Sequence, residues 1–411
     1  MILTIEIIED DMAKFKILKK KVDTSKWIIH TSDLGLKNWS WGGICKKTGL
    51  NKGFLDAYNA FEFIVDQAVK WKVGYFIIAG DINEERNPEA LLIEKFCVQI
   101  QKLVSAGIKT IIVAGNHDLD GSIGSSTSIS YLKALKLENV YISDLSDDTF
   151  DFEDVTFHCL PYFTKHQLGF DSIKDLQSYV NNWLSTKPQG FDGTKKNIFI
   201  SHYAVDTSFH GNEIDEVRLP FDLMVDFDYV ALGHIHQWED YSSYGVNGGF
   251  CGSPYIKNFG ENVDKYFNLV KLDKVDEEGA VLYNSIEIPS RSFMDIELDA
   301  TESDLSEVLA TLKDNFDGKL EDTMVKVRLR THQRFNPKPI YDFLREQKVF
   351  HYLPIHWNIV QADRKLRVSI DDTLSDLDVV KNYVNSCNIE NNWLPKIIDI
   401  HKEIEDEIKK D

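Results

Sequence analysis

Short apolar runs that each break off into a polar, metal-ligating type of residue recur along the first half of the chain, and they restrict the fold more than any other feature. Trp27-Ile28-Ile29-His30 runs into Thr31-Ser32-Asp33, and Tyr75-Phe76-Ile77-Ile78-Ala79 into Gly80-Asp81. Thr110-Ile111-Ile112-Val113-Ala114 runs into Gly115-Asn116-His117-Asp118. Between these runs the spacing turns helical. Phe54, Ala57, Phe61, Ile64, Val65 and Ala68 share one face of a helix expected over about 54–72, and a second helix is expected over about 89–106. The order β-α-β-α-β predicts a sheet with helices packed on its faces. Three further strands follow. Val155–Leu160 is one, Asn197–Ile200 ends in Ser201-His202, and Tyr229–Leu232 ends in Gly233-His234-Ile235-His236. Open sheets bind ligands outside the carboxyl ends of their strands, so polar residues gathered there predict a site.

Other segments have a different character. Leu3–Ile7 and Phe15–Leu18 alternate like the arms of a hairpin around Glu9-Asp10-Asp11, which sets residues 1–23 apart as an N-terminal extension. The main domain spans 24–289, with its boundary near Pro289. Residues 290–375 alternate strand-like runs with helical ones near 302–315 and 337–347 and read as a smaller α+β domain. Residues 376–411 are expected to be helical. Over about 393–410, Leu394, Ile397, Ile400 or His401, Ile404 and Ile408 make an apolar stripe that either packs on its own domain or docks another protein.

Composition narrows the class. A 411-residue chain that is 43% hydrophobic can bury a sizeable core, yet no apolar run is long enough to span a bilayer. The N-terminus lacks the build of a secretory signal. A soluble, cytoplasmic protein without membrane contact is expected. Five scattered cysteines with no Cys-x-x-Cys pair argue against a disulfide framework and a thiolate zinc site. The net charge of −20 argues against nucleic-acid binding over the whole surface. It leaves room for a local basic patch or for a site that brings its own cations.

The motifs offer Asp33, Asp81, Asn116, His117, His202, His234 and His236 to one sheet edge. Carboxylates with imidazoles suit manganese, iron or zinc. Two cations about 4 Å apart need a bridging carboxylate, and together they supply a nucleophile and clamp phosphate oxygens. The glycines beside the ligands permit tight turns from strand to site. A lone Gly-Asp or Ser-His carries no weight. The ordered set Asp…Gly-Asp…Gly-Asn-His-Asp…His…Gly-His-x-His does, and it resembles the calcineurin-like metallophosphoesterases. The wider spacing, with Gly252-Ser253-Pro254-Tyr255 and Phe259-Gly260-Glu261 after the last motif, resembles the SbcD branch, the nuclease subunit of a DNA double-strand-break repair complex.

The resemblance covers about residues 26–265. It implies an α/β fold, a β-sandwich flanked by helices, followed by a smaller α+β capping domain and C-terminal partner-binding helices. It implies two divalent ions, manganese foremost. Asp81 would bridge them, Asn116, His202 and His234 would complete the second site, and Asp33 and His236 would serve the first. His117 would act beside the scissile phosphate as general acid or charge stabiliser. Asp118 would either orient His117 or hold a turn. The implied partners are DNA and an SbcC-type ATPase, with a homodimer formed through the early helices inside a heterotetramer. Lys37, Lys46, Lys47 and Lys52, interleaved with Trp39 and Trp41, are either DNA contacts or a solvated loop.

One position departs from the pattern. The family's first motif is Asp-x-His, whereas this chain has Asp33-Leu34-Gly35. Glycine offers no ligand, so the first ion would keep only Asp33, Asp81 and His236, with Glu84 the one candidate to compensate. The expectation is a DNA exonuclease and endonuclease whose activity Gly35 reduces or abolishes. Two alternatives stand beside it: a DNA-end-binding subunit with a degraded metal site, and a phosphoesterase acting on small phosphoesters.

Overall fold

The computed structural model describes residues 3–8, 16–21, 23–41, 43–119, 126–146, 148–206, 216–261, 264–277 and 279–360, with scattered positions between 375 and 403. Of the helix expected over 393–410, residues 395–396, 398–400 and 402–403 are described and are helical; the rest of it, and most of 376–411, lies outside the described residues.

The chain opens with an antiparallel pair, β1 (Leu3–Ile8) and β2 (Lys16–Lys21). The first layered half comprises β3 (Trp27–Thr31), α1 (Lys52–Trp71), β4 (Tyr75–Ala79), α2 (Ala90–Ser105), β5 (Lys109–Val113), α3 (Ser130–Leu135) and β6 (Val140–Ser143). Next come β7 (Asp148–Asp151), β8 (Val155–Leu160), α4 (Ile173–Thr186), β9 (Lys196–Ser201), β10 (Ala204–Val205), β11 (Arg218–Leu219), β12 (Tyr229–Leu232), β13 (Glu239–Asp240) and β14 (Gly248–Phe250). The long strands β15 (Lys265–Val275) and β16 (Val281–Ile288) return to the first half.

Among the described residues these strands build two six-stranded sheets, ordered β16-β15-β3-β4-β5-β6 and β13-β14-β12-β9-β8-β7. β3 to β6 run parallel, as do β8, β9, β12 and β14. Parallel strands covered on both faces are largely apolar, which is why β4 and β12 read as continuous apolar runs; β3 and β8 are also buried end to end, with His30, Thr31, Thr156 and His158 among their apolar residues. Ile28, Ile77, Ile111 and Val113 of one sheet meet Phe157, Cys159, Ile198 and Ala231 of the other in a shared core. On the outer faces, α1 and α2 cover Ile29, Phe76 and Ile112, and α4 covers Phe199, Val230 and Leu232. The result is helix, sheet, sheet, helix: a mixed α/β fold with two sheets flanked by helices.

The buried stripe of α1 contains Phe54, Ala57, Phe61, Ile64, Val65 and Ala68, the face read from the spacing. The helix starts where Asn51 caps it, accepting from the Phe54 amide at 2.9 Å. α4 starts at a capping box in which Ser172 and Asp175 bond each other's backbone amides.

The chain divides into two compact units. One holds Met1–Asp295, Gly318–Val325 and Leu344–Tyr352, and the other Ile296–Asp317, Lys326–Phe343 and Leu353–Asp411. The later elements are β17 (Phe293–Asp299), α5 (Leu305–Phe316), β18 (Met324–Thr331), α6 (Lys338–Glu346), β19 (His351–Tyr352) and β20 (His356–Ile359). In the second unit β18 pairs with β20 in parallel. No helix of the described residues is long and apolar enough to cross a membrane.

Candidate metal centre

The carboxyl ends of five parallel strands converge on one place. β3 delivers Asp33, β4 Asp81, β5 Asn116 and His117, β9 His202, and β12 His234 and His236. Asp33, Asp81 and His234 each hold a positive φ, at 53°, 51° and 105°. That backbone costs a non-glycine residue on the order of 1–3 kcal/mol, and it turns each side chain off its strand into the site. Asp33 is fully buried and Asp81 is 3% exposed. With His202 they offer ligand atoms within 4.8 Å of one another. Two buried carboxylates this close demand positive charge between them.

One set of donors fits a divalent ion. His202 Nε2 lies 3.2 Å from Asp81 Oδ2 and 3.2 Å from Asn116 Oδ1. His234 Nδ1 lies 3.1 Å from the same Asn116 oxygen. The opposite ring nitrogens are anchored. His202 Nδ1 donates to the Ala79 carbonyl at 2.7 Å, and His234 Nε2 donates to Glu216 at 2.6 Å. These outer bonds orient the rings, so His202 Nε2 and His234 Nδ1 are the nitrogens turned to Asp81 and Asn116, where a cation would take them. Asp81, Asn116, His202 and His234 therefore form a nitrogen-and-oxygen cradle of the kind that manganese, iron or zinc takes.

The other set is incomplete and its donors are engaged elsewhere. His236 Nε2 lies 3.8 Å from Asp33, near enough to share an ion, but Gly35 contributes nothing. His236 Nδ1 donates to Glu261 at 2.9 Å, which leaves Nε2 as the lone-pair nitrogen. That lone pair faces the Lys257 ammonium at 3.3 Å. Glu84, the candidate substitute ligand, is also turned to Lys257, with Oε2 3.3 Å from Nζ.

His117 stands beside the fitting set. Its amide donates to Asp81 Oδ1 at 2.9 Å and its Nδ1 donates to the Glu84 carbonyl at 3.0 Å. Nε2 is then the nitrogen that can exchange a proton with a substrate. The expectation that Asp118 orients this ring does not match the geometry. The Asp118 carboxylate instead accepts from the amides of Gly115 (3.0 Å), Ile82 and Asn83 (both 3.3 Å) and from Ser128 Oγ (3.1 Å). It ties the loop after β4 to the loop after β5, a positioning role.

Charge is strongly coupled in this cluster. Burial opposes a charged His202, yet the Asp81 and Asp33 carboxylates outweigh it and lift the imidazole from 6.5 to about 9. Against its own burial, Asp81 is held well below the carboxylate range by His202, with His117 and Lys257 adding to the pull. Burial and the neighbouring Asp81 push Asp118 up to about 6. Glu261 is brought down against burial to about 2 by His236 and Lys265.

Of the proposed DNA contacts, Lys46 and Lys47 are exposed. Lys37 pairs with Glu85 at 3.1 Å and lies over the Trp39 ring. Trp39 stacks on Trp41 and donates to the Tyr255 hydroxyl at 3.2 Å, so it is committed to packing. His30 is buried in its strand between the Tyr229 hydroxyl and the Leu232 carbonyl. Sequence reasoning missed Glu216 and Lys257, and it quoted Glu261 only as part of a resembling stretch, without a role. Glu216 follows no motif. Lys257 sits two residues past Tyr255 in the stretch already singled out, but nothing local marks a lysine as buried.

The chain is similar to known proteins. A family model described as calcineurin-like phosphoesterase matches residues 26–238. The DNA double-strand break repair protein Mre11 of Sulfolobus acidocaldarius is 23% identical over 391 residues, covering 93% of this chain and 96% of that protein. Mre11 of Sulfurisphaera tokodaii is 23% identical over 401 residues, covering 91% of this chain and 92% of its own length. Mre11 of Methanopyrus kandleri is 25% identical over 245 residues, or 56% of this chain and 51% of that protein. With the family match running from β3 past the last histidine of the cluster, the chain belongs to the calcineurin-like phosphoesterases.

Proposed function

We propose that this chain is a metal-dependent phosphodiesterase that cuts DNA at or near its ends, as the nuclease subunit beside an SbcC-type ATPase in repair, recombination or replication. The observation that carries the reading is the convergence of Asp81, Asn116, His202 and His234 on one point with His117 at its side. The likeness to Mre11 along nearly the whole chain supports DNA as the substrate class. A homodimer within a heterotetramer belongs to the same reading.

A divalent cation in the cradle, manganese foremost, would polarise the phosphoryl oxygens and offset charge that builds up on them. The chain's own groups do the rest. Ala79 and Glu216 hold the two imidazoles in register, so the site costs little reorganisation when loaded. His117, its Nδ1 tied to the Glu84 carbonyl, offers Nε2 to the leaving oxygen as general acid.

The test is cleavage of end-labelled duplex DNA with manganese. The natural chain is expected to cut, Asp81→Asn to lose cutting, and His117→Gln to fall about 10²–10⁴-fold. A second reading, a DNA-end-binding subunit without cleavage, is favoured by the misfit of the first ligand set around Gly35. Binding of DNA ends with no cutting, in manganese and with the ATPase partner present, would establish it. Hydrolysis confined to small phosphoesters would move the substrate class away from DNA.

A further inference from the structure

We propose that the ammonium of Lys257 takes the place of one of the two metal ions, so that this chain holds a single divalent cation in the Asp81–Asn116–His202–His234 cradle. The proposal rests on the phosphoesterase reading and concerns how its site is charged.

Three observations carry it. First, Lys257 Nζ fills the space that a side chain at position 35 would enter. A Cβ built on Gly35 would fall 2.5 Å from Nζ, 2.7 Å from Cε and 3.0 Å from Glu84 Oε2. Second, the lysine uses the lone pair that a first ion would need. His236 Nε2, left unprotonated by the bond from Nδ1 to Glu261, accepts from Nζ at 3.3 Å. Third, Lys257 is held in place. Its side chain is 4% exposed, it pairs with Glu84 at 3.3 Å, and its amide donates to Glu261 at 3.2 Å.

The backbone around it is equally committed. Tyr255, two residues earlier, is buried and donates to the Gly35 carbonyl at 2.9 Å, which seats this stretch against the loop after Asp33. Gly35 has a φ of +51°, a left-handed value that a histidine would adopt only under strain. Missing imidazole and present lysine are thus one arrangement. A second dication would have to share the site with a buried ammonium, whose like charge repels it. A lysine is a compact point charge with three donors, suited to the neighbourhood of Glu84, Asp81 and a phosphate oxygen.

The experiment counts manganese ions per folded chain, by titration with free Mn(II) read by electron paramagnetic resonance. The spectrum of the bound ions reports whether two are magnetically coupled. The natural chain is expected to bind one ion with an uncoupled spectrum. Gly35→His alone is expected to stay at one, because it shifts only the flexible end of Lys257 and leaves the ammonium's charge beside Glu84 and His236. Lys257→Ala, which frees His236 Nε2 and Glu84, is expected to take up a second, weaker ion, and Gly35→His with Lys257→Ala a coupled pair. Two coupled ions in the natural chain would overturn the proposal and leave the phosphoesterase reading standing. No ion at all would overturn that reading and this proposal with it. Uptake of one ion by the folded Lys257→Ala chain would also overturn it, by removing the lysine as the cause.

Discussion

At the scale of single residues, the site is organised by what each imidazole does with its second nitrogen. Ala79 holds His202, Glu216 holds His234, Glu261 holds His236 and the Glu84 carbonyl holds His117. No motif assigns these anchors to their histidines, because each lies on a different segment from the ring it holds. A pH dependence follows for the metal-free protein. His202 has a folded value of about 9 against an ordinary 6.5. Its pairing with Asp81 therefore stabilises fully below pH 6.5, and that contribution is lost as pH rises through 9. A cation in the cradle must displace this proton, so manganese affinity is expected to rise by about tenfold per pH unit between these values. Titrations at pH 6.5, 7.5 and 8.5 check this, and an affinity that stays flat would contradict it.

At the scale of elements, strands with both faces covered are largely apolar, and this made β3, β4 and β12 legible from their runs, whereas β8 alternates Thr156 and His158 with apolar residues. The helix faces were legible for the same reason, since α1 buries the stripe its spacing shows. Loops are different. Asp118 sits in a ligand motif and invites a catalytic reading, yet its carboxylate serves the amides of Gly115, Ile82 and Asn83. Asp118→Ala would leave these buried donors without their acceptor, at a cost of about 3 kcal/mol. Calorimetry should show a melting temperature lowered by about 5–10 °C. His117→Gln should melt close to the natural chain, since its ring makes one half-exposed contact. Loss of cutting without loss of stability in Asp118→Ala would reverse this assignment.

At the scale of the whole molecule, a net charge of −20 confines any DNA contact to local positive patches. The exposed Lys46 and Lys47 are the candidates from the loop after Asp33, since Lys37 is paired with Glu85 and Trp39 is packed. Replacing both by glutamate is expected to weaken binding to duplex ends and to reduce the slope of log affinity against log salt by about 2. Fluorescence anisotropy across a salt series measures both quantities. An unchanged slope would place the DNA elsewhere.

By itself the sequence determined the alternation of strands and helices, the packing of helices on the sheet, and the residue types gathered at the strand ends. Those follow from periodicity and from short motifs, which are local properties. It also showed that Gly35 lacks an imidazole. Only the tertiary structure decided what stands there instead. Lys257 and Glu84 pair across 173 residues of chain, and the lysine reaches the space beside Gly35 because Tyr255 seats its segment on that loop. A charge pair buried between distant segments leaves no period and no motif, since its energy depends on burial and distance rather than on neighbours in the chain.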